Sequence, residues 1–104
     1  VIDADGANKH QVTRLGEANF APYFHPSDEK ILFSSNHTWS GKGAINFDLY
    51  MINLNGENLE RVTFEDSFDS FPMFSHDGRY LAFASNRGNK KAGETNVFIA
   101  EWRD

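Results

Sequence analysis

The sequence predicts an all-β fold built from a repeated four-stranded unit. Three observations predict it: the chain repeats itself at a fixed spacing, its apolar runs are short and end at turn residues, and no stretch keeps a helical period. Sliding the 104-residue chain by 50 positions aligns Gly6 to Asn36 with Gly56 to Asn86 without a gap and gives nine identities in 31 positions. The identities are Gly6/Gly56, Asn8/Asn58, Val12/Val62, Thr13/Thr63, Pro22/Pro72, Phe24/Phe74, Phe33/Phe83, Ser35/Ser85 and Asn36/Asn86. Beyond Asn36 the register slips by two, so that Asp48–Asn53 matches Asn96–Glu101. The slip falls in a Gly/Ser/Lys-rich stretch, where loops absorb length changes.

Each element follows from the pattern. Ile31-Leu32-Phe33 and Tyr80-Leu81-Ala82-Phe83 are short apolar runs closed by Ser-Ser-Asn and Ala-Ser-Asn, the signature of strands. Leu49–Ile52 and Val97–Ala100 read the same way. Pro22 and Pro72 stand near the starts of aromatic-bearing strands, where a missing N–H does least damage. Asp5-Gly6, Asn55-Gly56 and Asp77-Gly78 are turn dipeptides, because glycine accepts the positive φ of a tight turn. The expected strands are therefore 20–25, 30–35, 47–54 and 58–63 in the first repeat, and 70–75, 79–85 and 96–102 in the second. No window of about 11 residues carries a 3.6-residue apolar period, and no helix is expected.

Four short antiparallel strands in about 50 residues is the size of a β-propeller blade. An immunoglobulin-like sandwich has the right length but does not explain a repeat with matching turns. The second repeat runs Leu49-Tyr50-Met51-Ile52-Asn53-Leu54-Asn55-Gly56, then Arg61-Val62-Thr63, then Phe71-Pro72-Met73-Phe74-Ser75-His76-Asp77-Gly78-Arg79-Tyr80-Leu81-Ala82-Phe83-Ala84-Ser85-Asn86-Arg87. This resembles the TolB-like propeller repeat, whose pattern is roughly "IYVMNADG…RRLT…PSWSPDGKRIAFSSNR", and the resemblance covers nearly the whole chain. It departs at Ser27-Asp28-Glu29, where the family has Asp-Gly-Lys, so a different turn is expected there. The resemblance implies that the Pro-aromatic segments 21–25 and 71–75 are innermost in the blade, and that 11–13 and 61–63 are outermost. Residues 1–17 are then an outer-strand segment of a preceding or closing blade, 18–63 a complete blade, and 64–104 a blade lacking its outer strand.

Such rings usually have six blades, so two blades leave apolar faces to be covered. The cover is either further blades of a longer chain or self-association, with three copies each lending a neighbour the segment His10–Thr13. The many rings fit this picture: ten Phe, three Tyr and two Trp recur as Phe24/Phe74, Phe33/Phe83 and Tyr50/Phe98, positions expected to pack blade on blade.

Composition excludes several functions. There is no cysteine, hence no disulfide, no Cys-ligated zinc and no thiol catalysis. Ten Lys and Arg against 15 Asp and Glu leave a net charge of −5, and the only adjacent basic pair is Lys90-Lys91. That is no surface for tracking phosphates, and no nucleic-acid partner is expected. The longest apolar run, Tyr80 to Ala84, falls far short of the roughly 20 residues that span a bilayer. The chain opens on Val1-Ile2-Asp3 with no charged start and apolar core of an export signal, so it reads as a mature form or an excerpt.

Catalytic motifs are lacking. The histidines His10, His25, His37 and His76 show no short metal-ligand spacing. His76 stands where the family has the proline of its turn, and His25 ends an inner strand. Asp3-Ala4-Asp5-Gly6 fails as a calcium loop, since Asn8 and Arg14 hold the places that need Gly and Glu. There is neither a Gly-x-Ser-x-Gly elbow nor a phosphate loop. No cofactor is expected. The acidic group Glu65, Asp66 and Asp69 reads as a solvated loop before an inner strand, and Asn36-His37-Thr38 is a glycosylation sequon only along a eukaryotic secretory route. The candidate binding residues are His37 and Trp39 in the long loop 36–46, Asn19 and Asp69 at the entrances of the inner strands, and Arg87 closing the Ser-Asn-Arg motif.

The expected function is a non-catalytic module that binds a protein or a cell-envelope polymer. The resemblance implies an exported, periplasmic setting. Two alternatives place chemistry elsewhere: a substrate-gating propeller of a larger hydrolase of the prolyl-oligopeptidase or amidohydrolase kind, or part of a metal-dependent propeller lyase that gathers histidines from several blades.

Overall fold

The computed structural model describes residues 1–42, 45–65 and 67–103. Seven strands form in chain order: β1 (Asn19–Phe24), β2 (Lys30–Ser35), β3 (Asp48–Asn53), β4 (Glu60–Arg61), β5 (Asp69–Phe74), β6 (Tyr80–Ser85) and β7 (Asn96–Glu101). They make two antiparallel sheets, a four-stranded one ordered β1-β2-β3-β4 and a three-stranded one ordered β5-β6-β7. The described residues contain no helix. The outermost strand is shorter than its sequence pattern, with only Glu60 and Arg61 pairing to Met51 and Tyr50. Val62 leaves the ladder because its side chain turns into the contact between the sheets.

The repeat is visible in atomic detail. Tyr23 pairs with Leu32, which pairs with Met51; Met73 pairs with Ala82, which pairs with Ile99. Each inner strand bulges at the same place, between Phe20 and Tyr23 and between Ser70 and Met73. Ala21 and Phe71, one at each bulge, take positive φ (55° and 54°). The Ser-Asn pair also has a shared structural role. The Asn36 side-chain carbonyl accepts from Ala18 N at 2.9 Å, and that of Asn86 accepts from Phe68 N at 2.7 Å, so each clamps the chain entering an inner strand.

The β1–β2 hairpin corrects an expectation. Ser27-Asp28-Glu29 does not make a different turn. Asp28 N donates to His25 O as Gly78 N donates to Ser75 O, and Asp28 holds φ 61° where Gly78 holds 72°. Aspartate is one of the few residues that enter the left-handed region at modest cost. The turn thus survives the loss of its glycine.

The sheets pack face to face. Leu32, Leu49 and Met51 from one face of the first sheet meet Phe74, Leu81 and Phe83 from one face of the second, with Tyr23, Val62, Phe98 and Trp102 at the margin. Each fully buried side chain of this kind stabilises the fold by roughly 1.5–3 kcal/mol. The opposite face of the first sheet carries Phe33, Tyr50 and Ile52, covered by Val12 and Leu15 of the N-terminal segment. That segment lies so close that a Cβ on Gly56 would stand 2.9 Å from Val12 O, at a φ of +87°. Phe24 also belongs to this face and is 48% exposed, unlike Phe74 at 6%. It does not pack blade on blade, because only the N-terminal segment lies over its face.

Candidate functional site

Because the strands alternate in direction, one end of both sheets collects the starts of β1, β3, β5 and β7 and the ends of β2 and β6. The structure brings all five sequence-predicted residues to this end. Asn19 and Asp69 open β1 and β5 and pair with Ser35 and Ser85, while His37, Trp39 and Arg87 lie in the loops just past β2 and β6.

The second sheet's corner is the more tightly built. The Asp69 carboxylate is fully buried; Oδ2 accepts from Arg87 Nη2 at 2.7 Å and Oδ1 from Ser85 Oγ at 2.7 Å. Ser67 Oγ adds a longer bond at 3.3 Å. Arg87 also lies over the rings of Phe83 and Phe98, at 5.3 and 5.9 Å from their centroids, so its guanidinium is pinned on two sides yet 26% exposed. Asp69 therefore faces Arg87 rather than solvent, and what this corner presents outward is the guanidinium.

The first sheet's corner uses different groups at the same places. Asn19 Nδ2 donates to Gly16 O at 2.8 Å, and its Oδ1 is buried without a hydrogen-bond partner among the described residues. Ser70 Oγ, next to Asp69, is likewise buried and unpartnered among them. His37 meets Ser35 Oγ through Nδ1 at 2.9 Å and stands edge-on to Tyr50 with ring centroids 4.5 Å apart. Burial and, secondarily, the nearby Arg61 charge hold the His37 pKa below its ordinary value. Trp39 is half-buried and its indole N–H donates to Lys42 O at 3.2 Å within its own loop. Gly43 and Ala44 of that loop, and Asp66 of the acidic group, lie outside the described residues.

Two features of this end were not singled out from sequence. One is Asp48, 1% exposed, which is salt-bridged to Arg61 and accepts from Asn46 Nδ2 at 2.9 Å and Thr63 Oγ1 at 3.3 Å. Burial raises the Asp48 pKa more than its bond and proximity to Arg61 lower it. The sequence signal was an aspartate directly before an apolar strand, with Arg-Val-Thr ahead in the outer segment. The other is a cluster of four phenylalanines. Phe20 lies 5.3 Å from Phe47, 6.2 Å from Phe68 and 6.1 Å from Phe71, and Phe47 lies 5.3 Å from Phe68. Phe71 is 61% exposed.

At the opposite end, His25 stacks edge-on to Phe74 at 4.8 Å, and Phe74 meets Trp102 at 5.0 Å. Among the described residues no three His, Asp or Glu converge as metal ligands, and no helix is long and apolar enough to cross a membrane.

No protein-family model matches the chain. It is similar to Tol-Pal system protein TolB of Francisella tularensis subsp. mediasiatica (strain FSC147) and of subsp. holarctica (strain LVS), each 27% identical over 99 residues. The match takes in 95% of this chain, and the chain spans about a fifth (21%) of those relatives. Among solved structures, putative TolB from Agrobacterium tumefaciens superposes with a TM-score of 0.78 at 21% identity, over 96% of this chain and 35% of that one. TolB from Acinetobacter baumannii gives 0.58 at 23% identity, over 79% of this chain and 18% of that one. With the repeat, the two antiparallel sheets and these likenesses together, the chain is built of TolB-like β-propeller repeats.

Proposed function

We propose that the chain is a non-catalytic propeller module in the periplasm or an equivalent exported compartment, binding a protein of a Tol-Pal-type envelope system through the loop-bearing end of its blades. The observation that carries the reading is the convergence of Asn19, His37, Trp39, Asp69 and Arg87 at that end. There Asp69 fixes a half-open guanidinium beside exposed aromatic surface. Aromatic and arginine side chains held in place are the groups from which binding surfaces draw most of their energy. A pinned guanidinium suits a partner that offers a carboxylate. The names of the Francisella relatives support the envelope setting, as far as the matched stretch carries over.

The test is titration of the chain with purified Tol-Pal system proteins, read by the tryptophan fluorescence of Trp39. Trp39→Phe and Asn19→Ala, both checked for unchanged thermal unfolding, should weaken binding about tenfold or more. Binding that survives both changes would move the site elsewhere. Retention on peptidoglycan with no response to the proteins would replace the protein partner with an envelope polymer.

A further inference from the structure

The contact between the two sheets is head-to-tail, and its two halves both recur at free surfaces. One half is the first sheet's face of Tyr23, Leu32, Leu49 and Met51. Its repeat equivalents on the second sheet are Met73, Ala82, Val97 and Ile99, with Met73 57%, Val97 75% and Ile99 72% exposed. The other half is the second sheet's face of Phe74, Leu81 and Phe83. Its equivalents on the first sheet are Phe24, Ile31 and Phe33, which line an apolar cavity of about 410 Å³ under the N-terminal segment. A contact whose two sides differ, and which leaves one copy of each side open, propagates from molecule to molecule.

The N-terminal segment is shaped for the same contact. Gly6 N donates to Asp3 O as Gly56 N donates to Asn53 O, and Asn8 and Asn58 both take positive φ (54° and 57°). The segment thus reproduces the connection between β3 and β4. His10 N donates to Val1 O at 2.8 Å, and the Val1 amino group donates to His10 O at 2.9 Å. This is the place that Met51 and Glu60 hold in the first sheet. Val1 therefore fills the position that the repeat assigns to a third strand, and Val12 already lies against Phe33 as the neighbour of such a strand would. In the second sheet that third strand is β7, whose outer edge has no fourth strand.

We propose that three copies of this chain close head-to-tail into a ring. The Met73/Ala82/Val97/Ile99 face of one copy packs on the Phe24/Ile31/Phe33 face of the next. Val1 gives way to β7 of the neighbour, so that Ile99 pairs with His10 and Phe98 with Gln11, as Met51 pairs with Glu60 and Tyr50 with Arg61. Three is the number because one copy covers 35% of the Agrobacterium chain, so three match its length. The proposal does not depend on what the loop-bearing end binds.

Light scattering on the eluting protein should give about three times the 11.8 kDa chain mass. Val97→Asp with Ile99→Asp, both at exposed positions, should return it to a single chain with unchanged strand content. Since the chain has no cysteine, His10→Cys with Ile99→Cys supplies a defined crosslink. Under oxidation, non-reducing gels should show a covalent species that stops at three chains, and His10→Cys paired with Lys90→Cys should give none. A monomeric or dimeric wild type, an absent crosslink, or a ladder running past three chains would each overturn the ring.

Discussion

The two blades meet one structural need with different side chains at the same repeat positions. In the second, Asp69 receives Ser85 and Arg87 and is sealed at 0% exposure; in the first, the same places hold Asn19, Ser35 and His37. The aspartate blade ties its inner strand to the following loop by a charge-assisted bond. The asparagine blade has no such bond, and its loop leans instead on ring contact between His37 and Tyr50. The loop past β2 is also the longer one and carries Trp39. The repeat thus conserves a fold position while varying how firmly the loop beyond it is held.

The largest effect separates the blades through their aromatic cores. Phe74 is 6% exposed between the sheets, whereas its counterpart Phe24 is 48% exposed. Phe74→Ala should cost about 3–5 kcal/mol, and Phe83→Ala the same. Phe24→Ala should cost about 1 kcal/mol, since half of its surface is already in water. Urea unfolding midpoints measure both; equal losses at 24 and 74 would mean that the first blade's open face is covered.

Next in size is the polar corner. Asp69→Ala leaves Arg87 and Ser85 without their acceptor at a dry site, and should cost about 3 kcal/mol. Asn19→Ala removes one hydrogen bond, to Gly16 O, along with an unpartnered buried oxygen, and should cost about 1 kcal/mol or less. Similar losses at both positions would erase the distinction between the two corners.

Most of the architecture was legible because propeller blades are written locally. Strand runs, Asx-Gly turns and the Ser-Asn clamps sit at fixed offsets, and a 50-residue repeat shows each of them twice. The Asp28 turn was misjudged because residue identity was read as conformation. The hydrogen-bond frame of the hairpin imposes the left-handed geometry whether or not a glycine is there, at the modest cost an aspartate incurs. Phe24 was misjudged for another reason. Periodicity places it on a face, but what covers that face is a tertiary fact. The Asp48–Arg61 pair joins two strands across 13 positions, and one-dimensional spacing carries no sign of which aspartate finds which arginine.

The smallest effect is electrostatic and returns to the residues past the Ser-Asn motif. Burial and the Arg61 charge lower the His37 pKa in the fold, while the unfolded chain keeps a histidine value of about 6.5. As pH falls through that value the unfolded state takes up the proton first, so stability is full above it and declines below it, toward the folded pKa. Arg87, at the matching place in the second blade, stays charged throughout and contributes no such slope. Asp48 acts with the opposite sign and in a lower window. Its raised pKa means the carboxylate is harder to ionise in the fold, so its contribution weakens as pH rises from about 3.8 toward the folded value. His37→Gln, which keeps a polar partner for Ser35, should therefore flatten the loss of stability between about pH 7 and 5, and Arg87→Lys should leave that slope as it is. Unfolding midpoints across this range decide it, and a slope that persists in His37→Gln would assign it to a different group.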